Sequence, residues 1–128
     1  MKTNAFEVAS RYVYPSVRRR LVEILRERGL KQTEIAELLH VTQSAVSRYL
    51  KMERGALIDV SQFEDIDSMI RELADRVVGE RPGEYEIHSE LVRISLKLLG
   101  MGYACSFHAS IDPELEPEKC RVCLELFG

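Results

Sequence analysis

The sequence predicts a mainly α-helical protein, with an N-terminal helix-turn-helix domain at residues 1–55 and a helical hairpin followed by a small Cys-containing loop region at residues 56–128. Three observations predict this fold. Apolar residues recur at helical spacing along most of the chain, two short apolar segments flank a brief connection near residue 40, and all three Cys follow residue 104. At 128 residues the chain fits one domain, or two small ones that share a core.

Residues 1–31 contain one clear helix. Pro15 suits the first position of a helix, where its missing N–H costs nothing, and Gly29 ends the pattern. The apolar stripe of this helix is Val17, Leu21, Ile24 and Leu25. Its opposite face carries Arg18–Arg20, which fits either phosphate contact or a solvated surface. Residues 1–14 have only a loose apolar pattern, so a short helix and an arm toward a second subunit both remain open.

Residues 32–50 predict two short helices joined by residues 40–42. A connection this short sets the helices at a steep angle, as in a helix-turn-helix, whose second helix can enter a DNA major groove. Ala36 falls at the closest approach of the two helices, where only a small side chain fits. Thr42 is a good N-cap for the second helix. An ordinary helical hairpin is the alternative.

The outward face of the second helix carries polar side chains that can bond to DNA. These are Gln43, Ser44, Ser47 and Arg48, and Gln can address adenine N6 and N7. Lys51 and Arg54 follow directly and suit backbone contacts that hold the register. The full candidate set for DNA is Gln32, Thr42, Gln43, Ser44, Ser47, Arg48, Lys51 and Arg54.

The segment resembles the helix-turn-helix of the phage repressor and Cro family. Gln32 stands at the first position, Ala36 at the tight one, and Gln43-Ser44 opens the recognition helix. The resemblance implies that Gln32 touches phosphate and braces Gln43. The turn usually begins with Gly in that family; here it begins with His40, which tolerates a left-handed conformation at modest cost.

As a whole the chain also resembles small predicted transcriptional regulators of archaea that carry a Cro-type helix-turn-helix near the N-terminus. Besides residues 32–50, the likeness rests on Tyr12-Val13-Tyr14-Pro15 and on a helical C-terminal half that ends in a Cys pair. The likeness is strong over about residues 10–55. Beyond residue 55 it rests on the arrangement of the helices and cysteines more than on a motif. It implies a DNA-binding regulator and leaves the signal open.

The second half predicts two long helices. The first stripe is Phe63, Ile66, Ile70, Leu73 and Val77, and Arg81-Pro82-Gly83 forms the turn after it. The second helix begins near Glu84 and carries Ile87, Leu91, Ile94 and Leu98, with Val92, Leu96 and Leu99 broadening the apolar face. This face is wider than one neighbouring helix covers, so it should pack on the first domain or on a second subunit.

The C-terminal segment carries a possible metal site. Cys105 and His108 form one closely spaced pair, and Cys120 and Cys123 form another. Three thiolates and an imidazole suit a tetrahedral zinc site, and the cysteine content also permits an iron-sulfur cluster. A redox switch among the thiols and plain thiols remain alternatives.

Charge is distributed unevenly along the chain. Residues 1–54 hold eleven Lys and Arg against six Asp and Glu, while residues 55–128 hold seven against fifteen. The basic half is the half with the helix-turn-helix, which is typical of an electrostatic DNA footprint beside an acidic module. No signal peptide and no long apolar run is evident, so we expect a cytoplasmic protein that does not enter a membrane.

Together the patterns predict a transcriptional regulator that binds double-stranded DNA sequence-specifically, as a homodimer. Two alternatives remain: a metal- or redox-sensing regulator whose Cys cluster controls DNA binding, and an adaptor that uses the helix-turn-helix to contact protein. No phosphate loop or nucleophile motif is present, so an enzyme is the least favoured class.

Overall fold

The structure is a computed structural model that describes residues 1–52 and 58–128. The α-helices are α1 (Ala5–Val8), α2 (Tyr14–Glu27), α3 (Gln32–Leu39), α4 (Gln43–Leu50), α5 (Glu64–Glu80), α6 (Glu84–Gly100), α7 (Cys105–Ile111) and α8 (Val122–Phe127). A π-helical segment (Ala9–Val13) joins α1 to α2, and a 3₁₀ turn (Val60–Gln62) precedes α5. The described residues contain no β-strand, which confirms the predicted mainly helical fold. The predicted domain boundary after residue 55 lies outside the described residues.

The first helix begins well before Pro15. Residues 5–27 are continuously helical, and Asn4 starts the run by accepting a hydrogen bond from the Glu7 N–H at 3.0 Å. Pro15 has no N–H to continue a helical hydrogen-bond ladder, and the wider π-helical segment lies directly before it. The Ser16 hydroxyl donates to the Tyr12 carbonyl at 2.6 Å. The loose pattern of residues 1–14 therefore extends α2 toward the N-terminus.

The central helix is α2, which packs against α3, α4, α5 and α6. Its side chains Leu21, Ile24 and Leu25 are fully buried, and they share one apolar core with Ile70 of α5 and Ile94 of α6. Ion pairs reinforce this packing. The Arg20 Nε lies 2.6 Å from Asp67, and the Arg28 guanidinium lies 2.6 Å from Asp75. The core therefore spans both halves of the chain.

The predicted hairpin forms from α5 and α6. The predicted stripe positions of α5 are buried or half-buried, and Arg81 ends this helix in a left-handed conformation with φ of 48°. Helix α6 buries Ile87, Leu91, Ile94 and Leu98 against α2, α5 and α8. No helix in the described part of the chain is long and apolar enough to span a membrane.

The C-terminal region, predicted as a loop, contains the two short helices α7 and α8. Helix α8 lies against the end of α6, where Gly100 is so close to the Phe127 carbonyl that a methyl group would overlap it. The chain start is tied to the same region. The Lys2 and Thr3 N–H groups both donate to one oxygen of the buried Asp112 carboxylate.

Candidate nucleic-acid interface

The connection between α3 and α4 has the turn geometry that the sequence predicts. His40 adopts a left-handed conformation, with φ of 58° and ψ of 40°. The Val41 N–H donates to the Ala36 carbonyl at 3.0 Å, which closes the end of α3. Thr42 caps α4, since its hydroxyl oxygen accepts from the Ala45 N–H at 3.1 Å.

Apolar contacts hold α4 with one face inward. Ile35 and Val46 are fully buried, and Ala36 is nearly so where α3 approaches α4. Tyr49 buries its ring in the same core. Because these side chains fix the rotation of α4, the opposite face of the helix points away from the protein.

The outward face of α4 carries the predicted base-reading residues. Gln43, Ser44 and Arg48 are exposed, and Ser47 is half-buried. None of these four side chains makes a hydrogen bond or ion pair with another described residue. Their donors and acceptors are therefore available to a ligand, within the part of the chain that the structure describes.

The predicted backbone-contacting residues flank this face. Lys51 is exposed just after α4, and Gln32 is half-buried at the start of α3. The Thr42 hydroxyl uses its oxygen to cap α4 and still has a hydrogen to donate. Gln32 and Gln43 form no hydrogen bond with each other in the described structure, so the bracing role implied for Gln32 stays a prediction. Arg54 lies outside the described residues.

The Arg18–Arg20 triplet has roles inside the protein. Arg20 pairs with Asp67, Arg19 donates to Glu23 at 3.0 Å, and the Arg18 guanidinium lies 5.8 Å from the Tyr14 ring centre. Hydrogen bonds and charges raise the pKa of Arg20, with Asp67 as the largest contributor. Arg20 therefore joins α2 to α5, a role that the sequence pattern could not reveal because Asp67 is 47 residues away.

The helix-turn-helix also touches the hairpin. The His40 Nε2 lies 3.1 Å from the Pro82 carbonyl, which belongs to the turn between α5 and α6. Because a carbonyl oxygen only accepts, the His40 Nε2 carries the hydrogen in this bond. The contact links the turn that orients α4 to the second half of the chain.

A second candidate site is a small cavity at the C-terminal end. Its volume is about 20 Å³, and its lining includes all four predicted metal ligands, Cys105, His108, Cys120 and Cys123. Val8 of α1 and Leu99 of α6 also line it. The three cysteines are free thiols and half-buried.

Neighbouring thiols raise the pKa of Cys105 and Cys123. Burial raises the pKa of the Cys105 thiol, and Cys120 raises it further. Burial also raises the pKa of Cys123, with added contributions from Cys105 and Cys120. The structure therefore brings together three thiols that are separated in sequence.

His108 has a partner of its own. Its Nε2 lies 2.9 Å from the Thr3 carbonyl and 2.9 Å from the Thr3 hydroxyl oxygen. Donation to the carbonyl places a hydrogen on Nε2, so this nitrogen has no free lone pair for a metal in the present arrangement. The sequence pattern did not reveal this role, because nothing near His108 indicates a contact with residue 3.

The geometry of the cavity does not yet match metal coordination. Among residues 1–52 and 58–128, no three His, Cys, Asp or Glu side chains are close enough together to hold one ion. The predicted metal site stays a prediction.

One comparison with known families bears on the N-terminal half. Residues 15–54 match the family model described as bacterial regulatory protein, arsR family. The match covers α2, α3 and α4 and supports a small helix-turn-helix regulator that binds DNA. Neither the curated proteins nor the solved structures include a match to this chain.

Proposed function

We propose that this chain binds double-stranded DNA sequence-specifically and regulates transcription, with α4 as the recognition helix in the major groove. The observation that carries this proposal is the outward face of α4. Gln43, Ser44 and Arg48 are exposed there on a helix whose rotation is fixed by buried Val46 and Tyr49. The family match over residues 15–54 supports the same function.

Within this proposal the residues divide by the part of DNA that they contact. Gln43, Ser44, Ser47 and Arg48 read base edges, and Gln43 addresses adenine. Gln32, Thr42, Lys51 and Arg54 bind the phosphate backbone and fix the register. The turn is of the Cro type, as the resemblance implies.

A homodimer is part of the proposal. One recognition helix reads only a few base pairs, and two-fold symmetry supplies a second half-site about 34 Å away. We therefore expect the preferred site to be palindromic.

The Gln43→Ala variant tests the reading face. A preferred site is first selected from random duplexes, and binding to it is then compared with binding to a scrambled duplex. Loss of Gln43 should weaken the selected site by about 1–3 kcal/mol and leave scrambled DNA nearly unaffected.

The matched control is Gln62→Ala, which makes the same change on the 3₁₀ turn before α5. This variant should bind both duplexes like the wild type. Equal losses on both duplexes for Gln43→Ala would show that Gln43 does not read bases. Binding that is insensitive to salt would contradict DNA binding as a whole, because phosphate neutralisation makes affinity fall steeply with salt.

The C-terminal cavity favours a second candidate function, metal sensing. Three thiols line one cavity, and bound zinc would stabilise their deprotonated forms. A redox switch has less support, because burial raises the pKa of Cys105 and Cys123 and so disfavours the reactive thiolate. In a zinc site the ligands would be Cys105, Cys120 and Cys123, with His108 completing the set through a ring nitrogen that bears no hydrogen.

Elemental analysis and an absorption spectrum of protein purified without oxygen test this candidate. One zinc per chain that is lost in Cys120→Ser and retained in Ser106→Ala would support a zinc site. Affinity for DNA that changes when the zinc is removed would support sensing, and unchanged affinity would make the zinc a structural clip. Bound iron and sulfide would instead indicate an iron-sulfur cluster. Wild-type protein without metal, and without affinity for added zinc or cobalt, would contradict this candidate.

A further inference from the structure

The exposed side of α6 forms an apolar groove together with the start of the chain. The groove has a volume of about 500 Å³ and lies between α6 and the helical run that begins with α1. Its apolar lining is Phe6, Ala9, Tyr14, Val92, Leu96 and Leu99. An open apolar groove lined by exposed side chains is a candidate interaction surface.

Several apolar side chains around this groove remain in solvent. Phe6 is 79% exposed, Leu96 is 39% exposed, and Tyr85 at the N-terminal end of α6 is 87% exposed. Tyr85, Val92 and Leu96 share one side of α6, opposite Ile87 and Ile94, which are buried in the core. Helix α6 thus has two apolar sides, and its own chain covers one of them.

The charges on one flank of this apolar side change sign along the helix. Glu86 lies in the N-terminal half of α6, and Arg93 and Lys97 lie in the C-terminal half, whereas Glu90 lies farther round toward Arg76 of α5. Arg76 of α5 pairs with Glu86 at 2.5 Å, and Arg93 pairs with Glu90 at 3.5 Å. Lys97 makes no ion pair with any residue that the structure describes. A second α6 placed antiparallel would bring its Glu86 toward this lysine.

We propose that the apolar side of α6, together with Phe6, is the surface through which two copies of this chain pair. A two-fold axis crossing α6 near Val92 sets the acidic half of one helix against the basic half of the other. A parallel pairing would instead oppose like charges. The exposed Phe6 and Tyr85 of each copy then enter the groove of the other.

This pairing leaves the recognition face open. Helix α4 packs on α2 and α3, and its outward side chains Gln43, Ser44 and Arg48 remain exposed. The inference rests on the homodimer proposed above and assigns its surface. It also gives a partner to Val92 and Leu96, which the packing of α6 on α2, α5 and α8 leaves outside the core.

Sedimentation equilibrium on the full chain tests the proposal. Leu96→Glu places a charge on the groove, and Val78→Glu makes the same kind of change at a residue of α5 that is 42% exposed. The dimer dissociation constant should rise about 30-fold or more for Leu96→Glu and stay near the wild-type value for Val78→Glu. Circular dichroism verifies that both variants keep their helix content.

A charge exchange adds a second test. Lys97→Glu should weaken the dimer, and adding Glu86→Lys in the same chain should restore it, because each copy then presents the reversed pattern. A wild-type chain that stays monomeric, or a Leu96→Glu dimer as tight as the wild type, would overturn the proposal.

DNA binding separates this inference from the proposed function. A monomeric Leu96→Glu variant should keep the salt-sensitive binding of scrambled DNA and lose tight binding of a palindromic site. A wild type that dimerises as described and binds no DNA would sink the proposed function and leave the pairing surface standing.

Discussion

At the scale of single residues, His40 has two opposing effects on stability. Its left-handed backbone costs about 1–2 kcal/mol in an L-residue, whereas its side chain bonds to the Pro82 carbonyl and offsets part of that cost. The left-handed conformation follows from the position of His40 at the turn, so it could be predicted from the sequence. The Pro82 contact could not, because it depends on how the hairpin packs 42 residues later.

Two substitutions at His40 separate these effects. His40→Ala keeps the backbone strain and loses the bond, so the free energy of unfolding should fall by about 1 kcal/mol. His40→Gly also loses the bond but removes the strain, so its stability should stay nearer that of the wild type. Urea denaturation measures both. A glycine variant as unstable as the alanine variant would show that strain at this position is negligible.

At the scale of helices, the Arg20–Asp67 pair links α2 to α5. Burial raises the pKa of Asp67, but hydrogen bonds and charges from Arg20 and Arg71 outweigh it, so the pKa lies below its usual value. Both paired side chains are mostly buried. A carboxyl group with a lowered pKa in the folded state stabilises that state above its unfolded pKa and loses this effect as pH falls through the folded value.

Asp67→Asn should therefore be destabilising at neutral pH and less so in acid. We expect a loss of about 1–2 kcal/mol at pH 7, because Arg20 is left without its closest partner. The difference from the wild type should shrink below about pH 4, where the unfolded carboxyl group begins to bind a proton. Thermal denaturation over a pH series measures this; a difference that is constant with pH would exclude the ionised carboxylate as its source.

The close approach of α8 to α6 gives another prediction at this scale. Gly100→Ala places a methyl group against the Phe127 carbonyl, so α8 must move and expose the Cys123 thiol. Labelling of Cys123 by a thiol reagent should become about tenfold faster, a change equivalent to 1.4 kcal/mol.

Gly79→Ala is the matched control for this variant, because a methyl group there meets no atom within 4 Å. It should leave the labelling rate unchanged. Unchanged labelling in Gly100→Ala would mean that α8 does not depend on this contact.

The sequence predicted the helices that have a long apolar stripe. The stripes of α2, α5 and α6 repeat over several turns, and the spacing and cap of α3 and α4 are distinctive. Helices α1, α7 and α8 are shorter and carry too few turns for a pattern to appear. Helices this short depend on tertiary contacts for stability, which a single sequence does not display. The contact between His108 and Thr3 could not be predicted either, because it is also a tertiary contact.

At the scale of the whole molecule, the two halves share a core and form ion pairs with each other. The basic excess of the N-terminal half could be predicted from the sequence. Which of these basic residues form ion pairs within the protein could not. Arg20 and Arg28 neutralise Asp67 and Asp75 of α5. Arg48 and Lys51 pair with no other described residue, which leaves their positive charge beside the proposed reading face.

A shared core predicts one cooperative unfolding transition. Circular dichroism, which follows helix content, and tyrosine fluorescence should give the same unfolding midpoint. The five tyrosines are distributed over both halves, so fluorescence reports on the whole chain. Because the proposed dimer would make the midpoint depend on concentration, the measurement is repeated at several protein concentrations. Two separated transitions would show that residues 1–55 and 56–128 unfold independently.

The bonds of Thr3 to Asp112 and His108 have a consequence for synthesis on the ribosome. These contacts span more than a hundred residues, so they cannot form until the segment around Asp112 has left the exit tunnel. The contacts among α2, α3 and α4 join residues of the first half and become possible much earlier. The emerging chain therefore completes the packing of α2, α3 and α4 before Thr3 can dock on Asp112 and His108.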